Sequence, residues 1–369
     1  MKVLHINVNY ATTRLHKNMI CELNNLSDNY IFVPIHNKAI INDELDKKIY
    51  MIKCYNKIDR FFYYRKQNKI QCKLKKHIDV KSMDLMHAYT LMTDGNVARE
   101  ISKLYNIPYI VTVRDTDLNF FFKYRKDLIR LGKKILLDAN AIIFLSSSYK
   151  NRVLELFNKD EKKNLNNKSY IIPNGVDDFW IDKAAKNYKR INNESDLKLL
   201  YVGKITKRKN IVTLIKLGKL MTEKEKKFKI TMIGKNCNNN LMKKINNCSF
   251  IQYYPFMNKE QLLKYYRDSD IFVMPSLSET FGLVYLEAMS QGTPVIYTKE
   301  EGFDKQFPDG VVGYSVTAAS INEIYDSIRN ILANYENISK NCIENISKFN
   351  WKAISEKYYG IYNNICTRR

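Results

Sequence analysis

Two glutamates eight residues apart, Glu279 and Glu287, with Gly282 between them, are the residues of this chain best placed to do chemistry. They lie in the run Ser276 to Pro294, Ser-Leu-Ser-Glu-Thr-Phe-Gly-Leu-Val-Tyr-Leu-Glu-Ala-Met-Ser-Gln-Gly-Thr-Pro. The apolar stretch Asp270-Ile-Phe-Val-Met-Pro275 predicts a buried parallel strand, and Phe281 to Ser290 a helix after it. Glu279 then falls in the turn at the strand's carboxyl end, Gly282 and Leu283 present backbone amides at the helix start, and Glu287 follows about two turns in. Open amides at the positive end of a helix dipole suit a phosphate or diphosphate, and a carboxylate inside the helix suits a pair of sugar hydroxyls. An ordinary helix with acidic residues in its first turns would carry the same glutamates.

A second loop has matching chemistry. The strand ending at Val202 runs into Gly203-Lys204-Ile205-Thr206-Lys207-Arg208-Lys209-Asn210, a glycine followed by clustered cations that could neutralise a diphosphate, or could simply be solvated. In the first half of the chain Met86-His87-Ala88-Tyr89, Thr93-Asp94-Gly95 and Ile110-Val-Thr-Val-Arg114-Asp115-Thr116-Asp117 stand where strands end. His87 there fits a packed, hydrogen-bonded histidine as well as a ligand contact. Asp115-Thr116-Asp117 spells Asp-x-Asp, yet no further oxygen ligands for a metal can be identified, and no metal site is expected.

These residues need strands to hold them. Strand-like and helix-like segments alternate throughout, the pattern of βαβ units around parallel sheets. The first half predicts strands at Lys2–Val8, Tyr30–Pro34, Ile49–Lys53, Asp84–Ala88, Tyr109–Val113, Ala141–Leu145 and Tyr170–Ile172. After the turn Pro173-Asn174-Gly175-Val176-Asp177, a polar stretch from Asp182 to Asp196 reads as a linker. A second series follows at Leu197–Gly203, Phe228–Ile233, Ser249–Gln252, Ile271–Met274, Pro294–Tyr297 and Val311–Val316. The expectation is an α/β protein of two Rossmann-like domains, residues 1–185 and 186–349, with ligands at the carboxyl ends of the strands. A chain of 369 residues is long for a single core, which agrees.

Composition narrows the class. No apolar run approaches the ~18 residues of a membrane-spanning helix, and the first residues turn polar too soon for a signal peptide, so a cytoplasmic protein is expected. Seven dispersed cysteines without a Cys-x-x-Cys pair fit reduced thiols. The net charge of +23 draws the chain to polyanions. Its densest patch, Lys53 to Lys76, interleaves aromatics with cations, which suits a helix lying on anionic headgroups, or a solvated helix with its aromatics packed inward. No nucleic-acid motif accompanies the charge.

Glu279-x7-Glu287, with Pro275-Ser276 before it and Gly292-Thr293-Pro294-Val295-Ile296 after, resembles the signature of retaining glycosyltransferases of the GT-B fold, in particular glycosyltransferase family 4 as found in bacterial surface-polysaccharide synthesis. The resemblance implies two Rossmann-like domains facing an interdomain cleft, and a helix over residues 350–369 that crosses back to the first domain. It implies a metal-independent enzyme of the hexosyltransferase class that closes over a nucleotide diphosphate sugar as co-substrate, with no cofactor. Glu287 would hold the ribose, and Glu279 would reach the donor sugar. The Phe281, Gly282 and Leu283 amides would contact sugar and diphosphate. Lys204 and Lys209 keep the five-residue spacing of the family's Gly-Arg…Lys-Gly cations after Gly203, with Lys for Arg at 204, and Arg208 competes for the role. With no firm covalent nucleophile, same-face attack assisted by the leaving diphosphate is the implied chemistry, Glu279, Lys204 and Lys209 acting in it.

In the first domain the family commonly carries His-Gly-x-Asp; here Arg114 and Asp115 replace the His and Gly, while Asp117 matches. Arg14, His16, His87, Arg114, Asp117 and Asn174 are the acceptor-side or cleft residues the resemblance suggests. A Gly-Gly loop expected near residues 8–16 is missing, so acceptor identity does not transfer. Charge and family habit together point to a glycan or lipid-linked acceptor, in capsule, O-antigen or exopolysaccharide assembly, at the inner face of the cell membrane. A nucleotide-sugar epimerase and a non-catalytic polyanion-binding protein are the alternatives.

Overall fold

The computed structural model describes residues 1–37, 47–191, 195–224 and 226–367, with Arg60 described by its backbone alone. They divide into two compact units, residues 1–175 with 351–369, and residues 176–350. The division falls at Gly175/Val176, ahead of the expected 185/186, because Val176 already donates its amide to the Phe349 carbonyl of the second unit at 2.8 Å. The stretch expected as a linker is pinned to that unit too. The ammonium of Lys189 donates to the Tyr266 and Ser269 carbonyls and the Thr293 hydroxyl at 2.6–2.7 Å, and burial pushes it down to about 7. Residues 192–194 of that stretch lie outside the described residues.

Unit 1 is built on seven strands: β1 (Lys2–Ile6), β2 (Asp28–His36), β3 (Ile49–Tyr55), β4 (Leu85–Ala88), β5 (Tyr109–Val113), β6 (Ala141–Phe144) and β7 (Ser169–Ile171). The inner strands β1, β4, β5 and β6 read as apolar runs because both faces of the sheet are covered there, as parallel sheets require, while the edge strand β7 is partly exposed. The strand order is 3-2-1-4-5-6-7, every pairing parallel, so the winding reverses between β1 and β4. Among the helices, α1 (Arg14–Leu23) and α2 (Tyr63–His77) follow β1 and β3.

Unit 2 holds β8 (Leu197–Val202), β9 (Phe228–Ile233), β10 (Ile251–Tyr254), β11 (Ile271–Val273), β12 (Val295–Thr298) and β13 (Gly313–Val316), ordered 10-9-8-11-12-13 and all parallel. Its reversal lies between β8 and β11. Helix α3 (Leu283–Ser290) follows β11. The last helix, α4 (Trp351–Thr367), packs in unit 1, where its Ser355 hydroxyl meets the Met19 carbonyl of α1 and its Tyr362 hydroxyl meets His87.

Candidate functional site

In unit 2 the two loops singled out in the sequence leave the neighbouring strands β8 and β11, so Gly203 to Lys209 and Glu279 meet at the point where the strand order reverses. Such a point opens a crevice between diverging connections, the usual place for a ligand in an open α/β sheet. A depression of about 590 Å³ occupies it, lined by Val202, Gly203, Lys204, Gly234, Phe256 and Glu287 among others. A smaller one of about 200 Å³, touched by Leu197, Lys227 and Asp270, lies at the opposite, amino ends of the strands.

Glu287 projects from the middle of α3. One of its oxygens accepts a hydrogen bond from the Tyr266 hydroxyl at 2.8 Å, which leaves the other for a ligand. Burial pushes its carboxyl up to about 7, and the Tyr266 bond offsets part of that shift. Gly282 caps α3 at φ +80°, where a Cβ would stand 2.4 Å from the Tyr285 ring. Glycine is therefore required on both counts. No side chain caps this end and its first turn holds no acidic residue; the Tyr285 amide returns to the Gly282 carbonyl at 3.0 Å, which leaves the Leu283 and Val284 amides for an anion. Phe281 is buried against Phe303 and Phe349, so only its backbone is available to a ligand.

Glu279 and Lys209 form an ion pair, both side chains about nine-tenths buried. The pair joins the two loops and fixes Lys209 at the strand ends, its charge already matched. Lys204, by contrast, is exposed and has no ion pair among the described residues, so it carries a free cation onto the depression's rim. Arg208 donates to the Ser278 carbonyl at 2.8 Å and thereby also ties the two loops.

Sequence reasoning missed Gly234, Lys235, Phe256 and Tyr266. The signal for the first two was present, since Gly234-Lys235 follows β9 as Gly203-Lys204 follows β8. At φ +157° a Cβ on residue 234 would lie 1.9 Å from the Gly203 carbonyl oxygen, so the two loops approach too closely for any side chain there. Phe256 is three-quarters exposed at the rim, an aromatic face offered to a planar ligand.

The unit 1 residues fall into two sets. His87 is fully buried, its ring nitrogens 2.6 Å from the Tyr362 hydroxyl and 2.9 Å from the Thr112 hydroxyl, and burial holds it far below the usual histidine range. It is a packed residue. Asp117 is buried with its oxygens accepting the Leu91, Met92 and Arg114 amides at 2.9–3.1 Å, a clamp on two loops. Asp115 spends its carboxylate on Asn119 and the Tyr149 hydroxyl, so the two aspartates share no ligand position. The second set is a contact group: Arg114 reaches His16 at 3.2 Å and Asn174 at 3.0 Å. Arg14 stands exposed at the start of α1.

Residues 182–349, nearly all of unit 2, match the family described as Glycosyl transferases group 1. An uncharacterised glycosyltransferase of Methanocaldococcus jannaschii is 24% identical over 303 residues, 77% of this chain and 76% of its own. Sucrose-phosphate synthase from Thermosynechococcus elongatus superposes with a TM-score of 0.77 at 19% identity, covering 100% of both chains. The Anabaena protein HepE, solved with UDP and glucose, gives 0.67 at 14% identity over 99% of this chain and 100% of its own. The chain has the GT-B fold, and the match of unit 2 to this family supports a glycosyltransferase. Glu279, Glu287, Gly203, Lys204 and Lys209 all lie within the stretch that matches the family.

Proposed function

We propose that the chain transfers a sugar, with retention of anomeric configuration, from a nucleoside diphosphate sugar held by unit 2 to a hydroxyl of a glycan acceptor. The observation that carries this reading is Glu287, a carboxylate with one oxygen held by Tyr266 and the other unspent, lining a depression that opens beside the uncapped start of α3. The ribose hydroxyls would bond to Glu287, and the base would lie against Phe256. The diphosphate would take the α3 amides and the charge of Lys204. That HepE was solved with UDP and glucose supports a donor of this class.

No metal is needed in this reading. As the bond to the sugar breaks, negative charge grows on the diphosphate, and fixed cations stabilise it most in the transition state. Lys204 is free to do so. Lys209 would act with Glu279 as a unit, Glu279 aiming the ammonium and accepting a hydroxyl of the donor sugar. The acceptor would then attack from the face the diphosphate leaves.

A lipid-linked acceptor at an anionic membrane face is the second part of the proposal, as in bacterial capsule, O-antigen or exopolysaccharide assembly. Its support lies on unit 1. Tyr63, Ile70 and Leu74 of α2 pack into the core, while Phe61, Phe62 and Tyr64 beside them are more than half exposed among cations. Phe120 and Tyr124 add to the same surface, since Phe121 lies 6.4 Å from the Tyr63 ring. Exposed aromatics with flanking lysines suit the headgroup region of a bilayer, and no described helix is long and apolar enough to cross one.

The test is proton NMR of the donor during turnover. In the absence of acceptor, slow donor hydrolysis should release a sugar whose first-formed anomer matches the donor. The opposite anomer would refute retention, and an isomerised nucleotide sugar would instead identify an epimerase.

A further inference from the structure

Arg114 is a buried guanidinium whose hydrogen-bonding partners are all neutral. Its Nε donates to the Tyr89 carbonyl at 3.3 Å, one Nη to the Asn174 side-chain oxygen at 3.0 Å, and the other Nη faces His16 Nε2 at 3.2 Å. A guanidinium carries five N–H donors, so two remain unspent. Two carboxylates stand near without pairing to it. Asp117 is committed to three backbone amides, and Asp94 accepts from Val8 and Thr90, with burial raising it to about 8.

The neighbouring polar groups are short of acceptors in the same way. His16 Nε2 faces a donor and must offer its lone pair, so the imidazole is neutral with its proton on Nδ1; burial and the nearby guanidinium both favour that form. That Nδ1 is buried and has no partner among the described residues. Asn7, at the end of β1, is in the same position: its side-chain oxygen accepts from the Asn9 amide at 3.1 Å, and its Nδ2 is buried without a partner. His16 sits in the first turn of the ten-residue helix α1, which has no acidic residue there, so the dipole adds positive potential. Asn7, Tyr89 and Arg114 directly follow β1, β4 and β5, beside the strand-order reversal of unit 1. Unpaired donors, a guanidinium with no ion pair among the described residues and a helix start at one end of a parallel sheet describe a place for an anion.

We propose that Arg114, with His16 and Asn7, binds an oxyanion carried on a sugar, a carboxylate or a phosphate, at the carboxyl ends of β1, β4 and β5. The inference rests on the glycosyltransferase reading for the word sugar only. Two forked N–H groups suit the paired oxygens of such a group better than a hydroxyl. The oxyanion belongs to the acceptor, held by unit 1.

Calorimetry on the full chain at matched ionic strength tests this. One arm compares glucuronate and glucose 6-phosphate with glucose, without nucleotide. The other titrates UDP and GDP, as the control for unit 2. At least one of the two anionic sugars should bind about tenfold tighter or better than glucose, and Arg114→Met should bring it within about twofold of glucose while UDP and GDP bind as before. Arg114→Lys should keep part of the preference for phosphate and lose more of that for carboxylate. A wild-type chain with no preference for charge overturns the proposal, as does a preference that survives Arg114→Met. Should Arg114→Met not fold, the wild-type comparison and Arg114→Lys decide. A wild-type chain that binds neither UDP nor GDP would fault the donor reading of unit 2, and leaves the nucleotide-free arm to judge this site.

Discussion

Replacing Glu287 by Gln should make unit 2 more stable at alkaline pH while weakening its hold on nucleotide. The native carboxyl is raised from 4.5 to about 7, chiefly by burial. Below pH 4.5 both folded and unfolded chains carry the proton and the residue contributes no pH dependence. Between about 4.5 and 7 the unfolded chain releases it first, so stability falls as pH rises, and above 7 the full cost of the buried charge is present. Two and a half units at 1.36 kcal/mol each come to about 3 kcal/mol. Glutamine keeps an oxygen for the Tyr266 hydroxyl and does not titrate. The variant and the wild type should therefore be alike near pH 4.5, and the variant should gain up to about 3 kcal/mol by pH 8. Of the two tryptophans, Trp180 lies in unit 2, with its ring 5.3 Å from that of Tyr266. Urea unfolding followed by Trp180 fluorescence, in a Trp351→Phe background, reads this unit alone. A stability difference that stays flat from pH 4.5 to 8 would refute the reasoning, because it would mean that the carboxylate is solvated. Nucleoside diphosphate affinity of the wild type should rise through the same window, since hydrogen bonds from the ribose favour the ionised form.

Breaking the Glu279–Lys209 pair by Glu279→Ala should cost about 3–5 kcal/mol through the unmatched Lys209, whereas Glu279→Ala with Lys209→Met should recover much of it, as a double-mutant cycle in urea would show. Lys204→Ala should leave stability unchanged and lower the maximal rate more than it raises the apparent donor constant, in steady-state kinetics. Activity should persist in excess EDTA; abolition with rescue by manganese or magnesium would overturn the role given to the lysines. Phe61→Ser with Phe62→Ser should reduce sedimentation with anionic liposomes while nucleotide binding stays as in the wild type. Lys189→Ala should destabilise unit 2 by about 3 kcal/mol, because three acceptors lose a charge-assisted donor.

The strands were legible because a parallel sheet covered on both faces writes each strand as an apolar run, and Tyr109–Val113 and Phe228–Ile233 fall where the sequence places them. Where the ends differ, pairing decides. β10 begins at Ile251 rather than Ser249 because its register is set by Ile230 to Ile233 of β9. The carboxylates and glycines after β8 and β11 were legible because they are local to strand ends. What depends on distant contacts was not: Lys209 meets a glutamate 70 residues on, Lys189 anchors a stretch that looks like a linker, and Gly234 is demanded by a carbonyl in another loop. The basic segment of α2 divided in the same way. Lys69 and Arg65 answer Asp59, and Lys66 lies over the Tyr55 ring, so a charge run that reads as one patch is partly spent within unit 1.

The central claim is that unit 2 binds a nucleoside diphosphate sugar through Glu287, and thermal unfolding against a panel of UDP-, GDP- and ADP-sugars tests it most directly. A donor at 100 times its dissociation constant adds about 2.7 kcal/mol to the state that binds it. Sugars of one base should raise the unfolding temperature of the wild type, and the same concentrations should leave Glu287→Ala where it was. A panel that shifts neither protein, or one that shifts both equally, would contradict the account.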